Sequence, residues 1–434
     1  MIHSNLTINK KGHLNFAGKD VVEMAKGYGT PVMLLDEQGI RDKCREYKVA
    51  AEKHLGEDSN IAYASKALSF VGLNKILREE GMSVDVASAG EICTARVAGF
   101  PMERVYFHGN YKTDMEINYA LKAKVGYFMV DNPEELKYLN YVAGLNKIKQ
   151  KVFLRLTPGV SPDTIKQVIT GATDSKFGVP IQTGAAEQFV KDALKMKNLE
   201  LCGYHCHIGS QIFDAEPYKD AVIKMMLFSR KIKNKYKFEA PEIVLGGGFG
   251  VRYVESQPSN FNYEKAIETI GSTVRHVAMA CSMKVPKIGL EPGRSIVASN
   301  GLTLYTVGCV KEIPGVKNYV ITDGSMADNP RFALYQSPYT VKLANRMNEK
   351  ENFNTTIAGR ACESGDIIQE NVNVPKPRRG DLLAVCCTGA YNYSMASNYN
   401  RIQRPPIVSI DKDGNEELQV KREPLTDIVS LDIF

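Results

Sequence analysis

The sequence predicts an α/β protein: a (β/α)8 TIM barrel followed by a C-terminal β-rich domain of the sandwich or barrel kind. Three observations carry the prediction. Eight short apolar runs alternate with stretches of helical patterning. After Gly293 the texture changes to closely spaced strand-like runs with few helices. The 434 residues are also too many for one ordinary core, so two domains are the starting expectation.

The eight runs are Ile61–Ala64, Ser83–Ala87, Val105–His108, Tyr127–Asp131, Val152–Leu156, Leu201–His207, Ile243–Leu245 and Lys287–Leu290. Amphipathic intervals such as Gly90–Ala98 and Ala215–Tyr236 separate them. Alternation of strand and helix implies a parallel sheet. Eight such units in about 230 residues fit a closed barrel, with an open doubly wound sheet as the competing arrangement. The second domain is read from Thr303–Val310, Val316–Thr322, Thr355–Ile357, Asp381–Val385 and Ile407–Ser409. Pro31–Asp36 is a further β-like run that can pack with it. The expected division is therefore a barrel over 37–285 and a discontinuous β-rich domain over 1–36 and 286–434, the latter contributing substrate and dimer-interface residues.

Composition excludes several classes. With 44% hydrophobic and 24% charged residues the chain reads as soluble and globular. No apolar run approaches the roughly 20 residues that span a bilayer, so no membrane partner is expected. Met1–Asn15 lacks the apolar stretch of a secretory signal. Nine cysteines, with Cys386 and Cys387 adjacent, then suggest reduced thiols and a cytoplasmic location. The net charge of +6 is spread along the chain, which speaks against nucleic acid and suits small anionic ligands. The run Cys202-Gly-Tyr-His-Cys-His207 has metal-ligand residue types. On a strand, however, Cys202, Tyr204 and Cys206 face one way and Gly203, His205 and His207 the other, so no metal site is expected there.

Barrel enzymes place chemistry at the C-terminal ends of their strands. Here Lys66 follows the first strand, and Asp85, His108, Asp131, Arg155 and His207 mark the next five. Gly246–Gly250 follows the seventh and Glu291 the eighth. Each alone is more often a cap or surface group, but all eight share one layer. The glycine run, including Gly247 and Gly248, lets backbone N–H groups approach an anion. The eighth loop, Glu291-Pro-Gly293-Arg294, adds a guanidinium. Loops after strands 7 and 8 commonly hold phosphate. A lysine, a phosphate cradle and a carboxylate in one mouth are what pyridoxal 5'-phosphate requires.

At Tyr63-Ala-Ser-Lys-Ala-Leu68 the chain resembles the alanine-racemase-fold, group IV pyridoxal-phosphate-dependent decarboxylases, the diaminopimelate decarboxylase family in particular. The likeness continues through Phe107-His-Gly-Asn110, Ser175-Lys-Phe-Gly178, His207-Ile-Gly-Ser210, the glycine run, Glu291-Pro-Gly-Arg294, Cys362-Glu-Ser-Gly-Asp366 and Gly389-Ala-Tyr391. It implies removal of CO2 from meso-2,6-diaminopimelate to give L-lysine, the last step of lysine biosynthesis. Lys66 would carry the cofactor and His207 would stack on its ring. Ser210, Gly247, Gly248, Gly293 and Arg294 would hold phosphate and ring, with Glu291 paired to the pyridine nitrogen and Tyr391 also in contact. Asp85 and Arg155 would support the cofactor. Arg294, Arg331, Tyr335, Glu363 and Tyr391 would bind the amino-acid substrate. Cys362 would deliver a proton from the second subunit of a homodimer with shared active sites.

The sequence departs from the family pattern at Phe332 in place of proline, Gly359-Arg-Ala361 before Cys362, Tyr111 in place of asparagine, and Ile165 in place of a histidine before Thr170-Gly171. Competing readings are a decarboxylase of lysine, ornithine or arginine, an amino-acid racemase, and an inactive cofactor-binding regulator. Related racemases carry arginine where Glu291 stands. A regulator would be expected to lack Lys66 or Cys362. A bare terminal ammonium would be met by acid where this chain has Arg331.

Overall fold

A computed structural model describes residues 1–160, 175–258 and 261–433. Ile165 and the Thr170-Gly171 pair lie outside the described residues. The chain divides into two units. One runs from Lys43 to Gly250 and resumes up to Ser295; the other takes the residues before Lys43, a short return beginning at Val251, and the chain from Ile296 onward.

The first unit is the barrel. Its strands are β1 (Asn60–Ala64), β2 (Ser83–Val86), β3 (Val105–Phe107), β4 (Tyr127–Val130), β5 (Gln150–Thr157), β6 (Leu199–His205), β7 (Glu242–Val244) and β8 (Lys287–Leu290). They pair in parallel in sequence order, β8 pairs with β1, and β4 with β5, so the sheet closes. Closure buries both faces, which is why these runs are nearly all apolar rather than alternating. Ala62, Tyr106, Met129, Phe153 and Val244 fill part of the interior. Helices between strands begin on specific caps: Thr113 and Glu116 make a reciprocal capping box, and the Asn132 side chain caps a helix opened by Pro133. The helix Glu216–Tyr236 buries Tyr218, Val222, Met225, Phe228 and Ile232 as an i, i+3/i+4 stripe. The unit's two ends are pinned: the hydroxyls of Tyr47 and Ser295, 248 residues apart in sequence, are buried 2.7 Å from one another.

The barrel unit extends beyond the expected boundary at 285, because Lys287–Leu290 hydrogen-bonds to strands on both sides and closes the cylinder. At the N-terminal side the helix Glu37–Leu55 crosses the division.

The second unit is β-rich and discontinuous. Its spine is the 13-residue strand Gly301–Ile313. The first half pairs with Val32–Asp36 and with Leu382–Cys386; the second half pairs with Lys317–Thr322. Val32–Asp36 also pairs with Ile407–Ile410. Alternate residues, Val32 and Leu34, Leu302 and Leu304, Leu382 and Ala384, Val408 and Ile410, form one buried face closed by Leu14, Phe16, Val21 and Met24. Six strands in this unit, Leu6–Ile8, Leu14–Phe16, Lys19–Asp20, Val341–Leu343, Ile367–Val374 and Glu416–Val420, have no counterpart in the sequence reading. No helix among the described residues is long and apolar enough to cross a membrane.

Candidate active site

The C-terminal ends of the barrel strands collect the polar residues that the sequence singled out. Lys66 sits in a single helical turn, Ser65–Ala67, directly after β1. Its neighbours Ser65 and Ala67 are buried while Lys66 is exposed, so the side chain is presented rather than packed. Gly293 lies against Ala64, where a Cβ would meet the Ala64 methyl at 2.9 Å.

Behind Lys66 is a buried layer. Asp85 in β2 is 4% exposed. Burial pushes its carboxyl up, with His108 opposing. Arg155 in β5 lies 3.8 Å from Asp131, with its guanidinium 4.4 Å from the Phe177 ring centre. Gly178 N–H donates to Asp131 at 3.0 Å. Ser175–Gly178 is thereby joined to the strand ends. Lys112, also buried, donates to Glu135 and to the carbonyls of Gly109 and Met129, which fixes the loop after β3.

At the base is Glu291. Its Oε2 accepts from His205 Nε2 at 3.0 Å, and its Oε1 lies 3.0 Å from His108 Nε2. The second contact is off the line of a hydrogen bond, so Oε1 has no formed bond. Burial alone would raise the Glu291 carboxyl; the two histidines hold it well below the usual carboxylate range. Burial takes His205 down to about 4, against the pull of Glu291. Alternation along Cys202–His207 does not prevent His205 from meeting residues of other strands. The possible ligand atoms of His108, His205 and Glu291 lie within 4.8 Å. β6 also ends at His205 rather than His207. His207 follows it, half-buried, and burial, then Lys66 and Arg155, keep it neutral.

The glycine run is shaped by close backbone approach. A Cβ on Gly247 would stand 2.0 Å from the Glu291 carbonyl oxygen, and one on Gly248, at φ +98°, 2.1 Å from that of Gly209. Only glycine fits these positions. Arg294, 6% exposed, donates to Ser210 Oγ at 2.9 Å. The Gly248–Gly209 contact and the Ser210–Arg294 pair set glycine backbone beside a hydroxyl and a guanidinium, a donor set suited to a phosphate monoester. An exposed lysine and a charged carboxylate complete the set. The residues fit pyridoxal phosphate.

In the β-rich unit, Arg331 opens the short helix Arg331–Tyr335 and is 6% exposed. A surface arginine is thus excluded. Its guanidinium bonds Tyr253 Oη at 3.3 Å and Ser337 Oγ at 3.0 Å. It lies 5.7 and 5.4 Å from the ring centres of Tyr253 and Tyr391. Nε has no partner, and no carboxylate pairs with it among the described residues. Tyr335 and Tyr391 are half-buried. Tyr391 has φ +66°, a left-handed conformation that costs a non-glycine residue about 1 kcal/mol or more. Phe332, where the family has proline, is a buried helix residue.

Cys362 and Glu363 are exposed, so Cys362 is not a core thiol. Its N–H is held by Asn400 Oδ1 at 2.7 Å, and Tyr399 Oη donates to Glu363 at 3.2 Å. Asp366 accepts from the N–H groups of Met326 and Ala361 at 2.6 and 2.7 Å. One carboxylate thus ties the segment before Arg331 to the loop bearing Cys362. Sequence reasoning missed His205 as a partner of Glu291, Lys112 as a partner of Glu135, and Tyr253 and Ser337 as partners of Arg331. The shared strand face of His205 and His207 was the available signal for the first.

Residues 38–298 match the family model described as the pyridoxal-dependent decarboxylase, pyridoxal binding domain. The chain is 43% identical over 432 residues to diaminopimelate decarboxylase of Bacillus subtilis, covering 100% of this chain and 98% of that one. Against the Staphylococcus aureus diaminopimelate decarboxylase it is 43% identical over 422 residues, with 97% and 98% covered. The crystal structure of the M. jannaschii diaminopimelate decarboxylase in complex with L-lysine superposes with a TM-score of 0.91 at 32% identity, covering 100% of this chain and 99% of that one.

Proposed function

The chain belongs to the diaminopimelate decarboxylase family of pyridoxal-dependent decarboxylases, and we propose that it releases CO2 from meso-2,6-diaminopimelate to give L-lysine. The observation that carries the reaction type is the buried Glu291, held charged with Oε2 bonded to His205 and Oε1 3.0 Å from His108 Nε2. Bound pyridoxal phosphate supplies the sink for the electron pair left at Cα when CO2 departs. Glu291 favours the protonated pyridine by charge pairing, which deepens that sink and favours decarboxylation over racemisation.

Lys66 supplies the amine that carries the cofactor and that the substrate amine replaces. Neutral His207 supplies a flat face for the ring. Ser210, Gly247, Gly248, Gly293 and Arg294 would hold the phosphate side, and Asp85 and Arg155 would support the cofactor. Arg331 takes the distal carboxylate of the substrate, Glu363 its ammonium, and Arg294, Tyr335 and Tyr391 complete its binding. A buried guanidinium without a carboxylate partner supports that assignment. The exposed Cys362 thiol delivers the proton to Cα. It does so from the second subunit of a cytoplasmic homodimer with shared sites.

The test is CO2 release from meso-diaminopimelate against lysine, ornithine and arginine, with and without added pyridoxal phosphate. The expected outcome is cofactor-dependent turnover of diaminopimelate in clear preference to the other three. Equal or greater turnover of any of them overturns the substrate.

A further inference from the structure

Glu291 is held by a residue that no cofactor atom needs to touch. The carboxylate has two oxygens and about four lone-pair directions. His205 Nε2 takes one on Oε2 at 3.0 Å. The bond requires the ring proton on Nε2, since the carboxylate can only accept. His205 Nδ1 is then a bare acceptor, and it is buried with no hydrogen-bond partner. A buried nitrogen left unsatisfied carries a cost, so the ring's placement is set by its other end. His108 stands edge-on to His205, ring centres 4.9 Å apart at 75°, and blocks rotation on that side.

We propose that His205 is a positioning residue for the cofactor: its Nε2–H anchors Glu291 Oε2, so that Oε1 stays turned to the ring nitrogen and the carboxylate stays charged. This rests on the proposed role of Glu291. Burial keeps His205 neutral, so the donor adds no positive charge to compete with the pyridinium. A cationic donor in the same place would stabilise the carboxylate alone and weaken its pull on the ring proton. Glu291, His108 and Arg155 are the titratable groups that act on His205.

The test compares His205→Leu, which removes the donor, with His205→Gln, whose amide nitrogen reaches the place of Nε2. Pyridoxal phosphate is titrated into each apoprotein by fluorescence, and the visible spectrum of the Lys66-bound cofactor is recorded. A charge-assisted bond of this kind corresponds to about a ten- to hundred-fold weaker cofactor binding and a similar fall in kcat for His205→Leu. His205→Gln should recover most of both. In a Glu291→Gln background His205→Leu should add little further loss, because its partner is already changed. Cofactor affinity and spectrum like wild type in His205→Leu overturn the proposal. So does an equal loss in both substitutions, or a full additive loss on top of Glu291→Gln. Wild-type turnover of diaminopimelate, measured alongside, separates failure of this inference from failure of the substrate assignment.

Discussion

Replacing Arg331 with methionine separates a substrate contact from a structural one. In the protein as it stands, the guanidinium has two hydroxyl partners at 3.3 and 3.0 Å and two tyrosine rings, but no carboxylate among the described residues. Its charge is therefore buried and met only by neutral groups. Methionine keeps the apolar stem, loses two hydrogen bonds and removes the desolvated charge. These effects oppose one another, and the net change in stability should stay within about 1 kcal/mol. Turnover should respond differently. Losing the partner of a substrate carboxylate costs about 3 kcal/mol, or roughly a hundred-fold in kcat/KM. The distal carboxylate takes no part in bond breaking, so most of the loss should fall on KM. The assay is CO2 release with meso-diaminopimelate and, in parallel, L-lysine, which lacks that carboxylate. The gap between the two substrates should close in Arg331→Met. A kcat/KM for diaminopimelate within two-fold of wild type, or the same proportional loss on lysine, would refute the reasoning.

Four further outcomes are expected. Lys66→Ala should abolish the visible band of lysine-bound cofactor; a persisting band removes Lys66 from the site. Gly248→Ala places a methyl 2.1 Å from the Gly209 carbonyl oxygen at φ +98°. It should destabilise the protein by about 2 kcal/mol or more and weaken cofactor binding, read by thermal melting and titration. Inactive Lys66→Ala and Cys362→Ala proteins, mixed under conditions of proven subunit exchange, should regain part of the activity, and no recovery contradicts shared sites. Asp328 is buried against Tyr305 and the Ser325 N–H. Burial raises its carboxyl to about 7 from an ordinary 3.8. The native state then binds the proton more tightly than the unfolded chain, so this group's contribution is full below pH 4 and is lost as pH rises from 4 to 7. Asp328→Asn should remove a loss on the order of a few kcal/mol across that window, measured by urea unfolding at pH 5 and 8. A parallel pH dependence in both proteins counts against it.

Much of the barrel was legible because a closed parallel sheet writes itself as apolar runs, and because its chemistry gathers at strand ends. All eight runs are strands, and Lys66 stands directly after the first. The second unit was less legible. Ile367–Val374 contains Gln369, Glu370, Asn371 and Asn373, which resemble a loop until the pairing with Phe353–Ala358 is seen. Its propensity is set by cross-strand neighbours, not by the strand itself. The division between the units falls inside helix Glu37–Leu55, where no composition change marks it. His205 was hidden differently. Its strand face was read correctly, but its partners are distant in sequence, and alternation within one strand cannot announce a contact across the barrel.

The discontinuity of the β-rich unit bears on how the chain assembles. Val32–Asp36 cannot pair with Gly301–Leu304 or with Ile407–Ile410 until the whole intervening barrel has left the ribosome. Closing so long a loop from an unfolded chain is slow, because its entropy must be met before the pairing rewards it. The barrel shortens the search. Once folded, it fixes Tyr47 beside Ser295, and the two chain segments that must pair emerge from neighbouring points. The barrel therefore brings together the two chain segments that the β-rich unit must pair, and the helix opened by Arg331 and the loop bearing Cys362 come later in the chain.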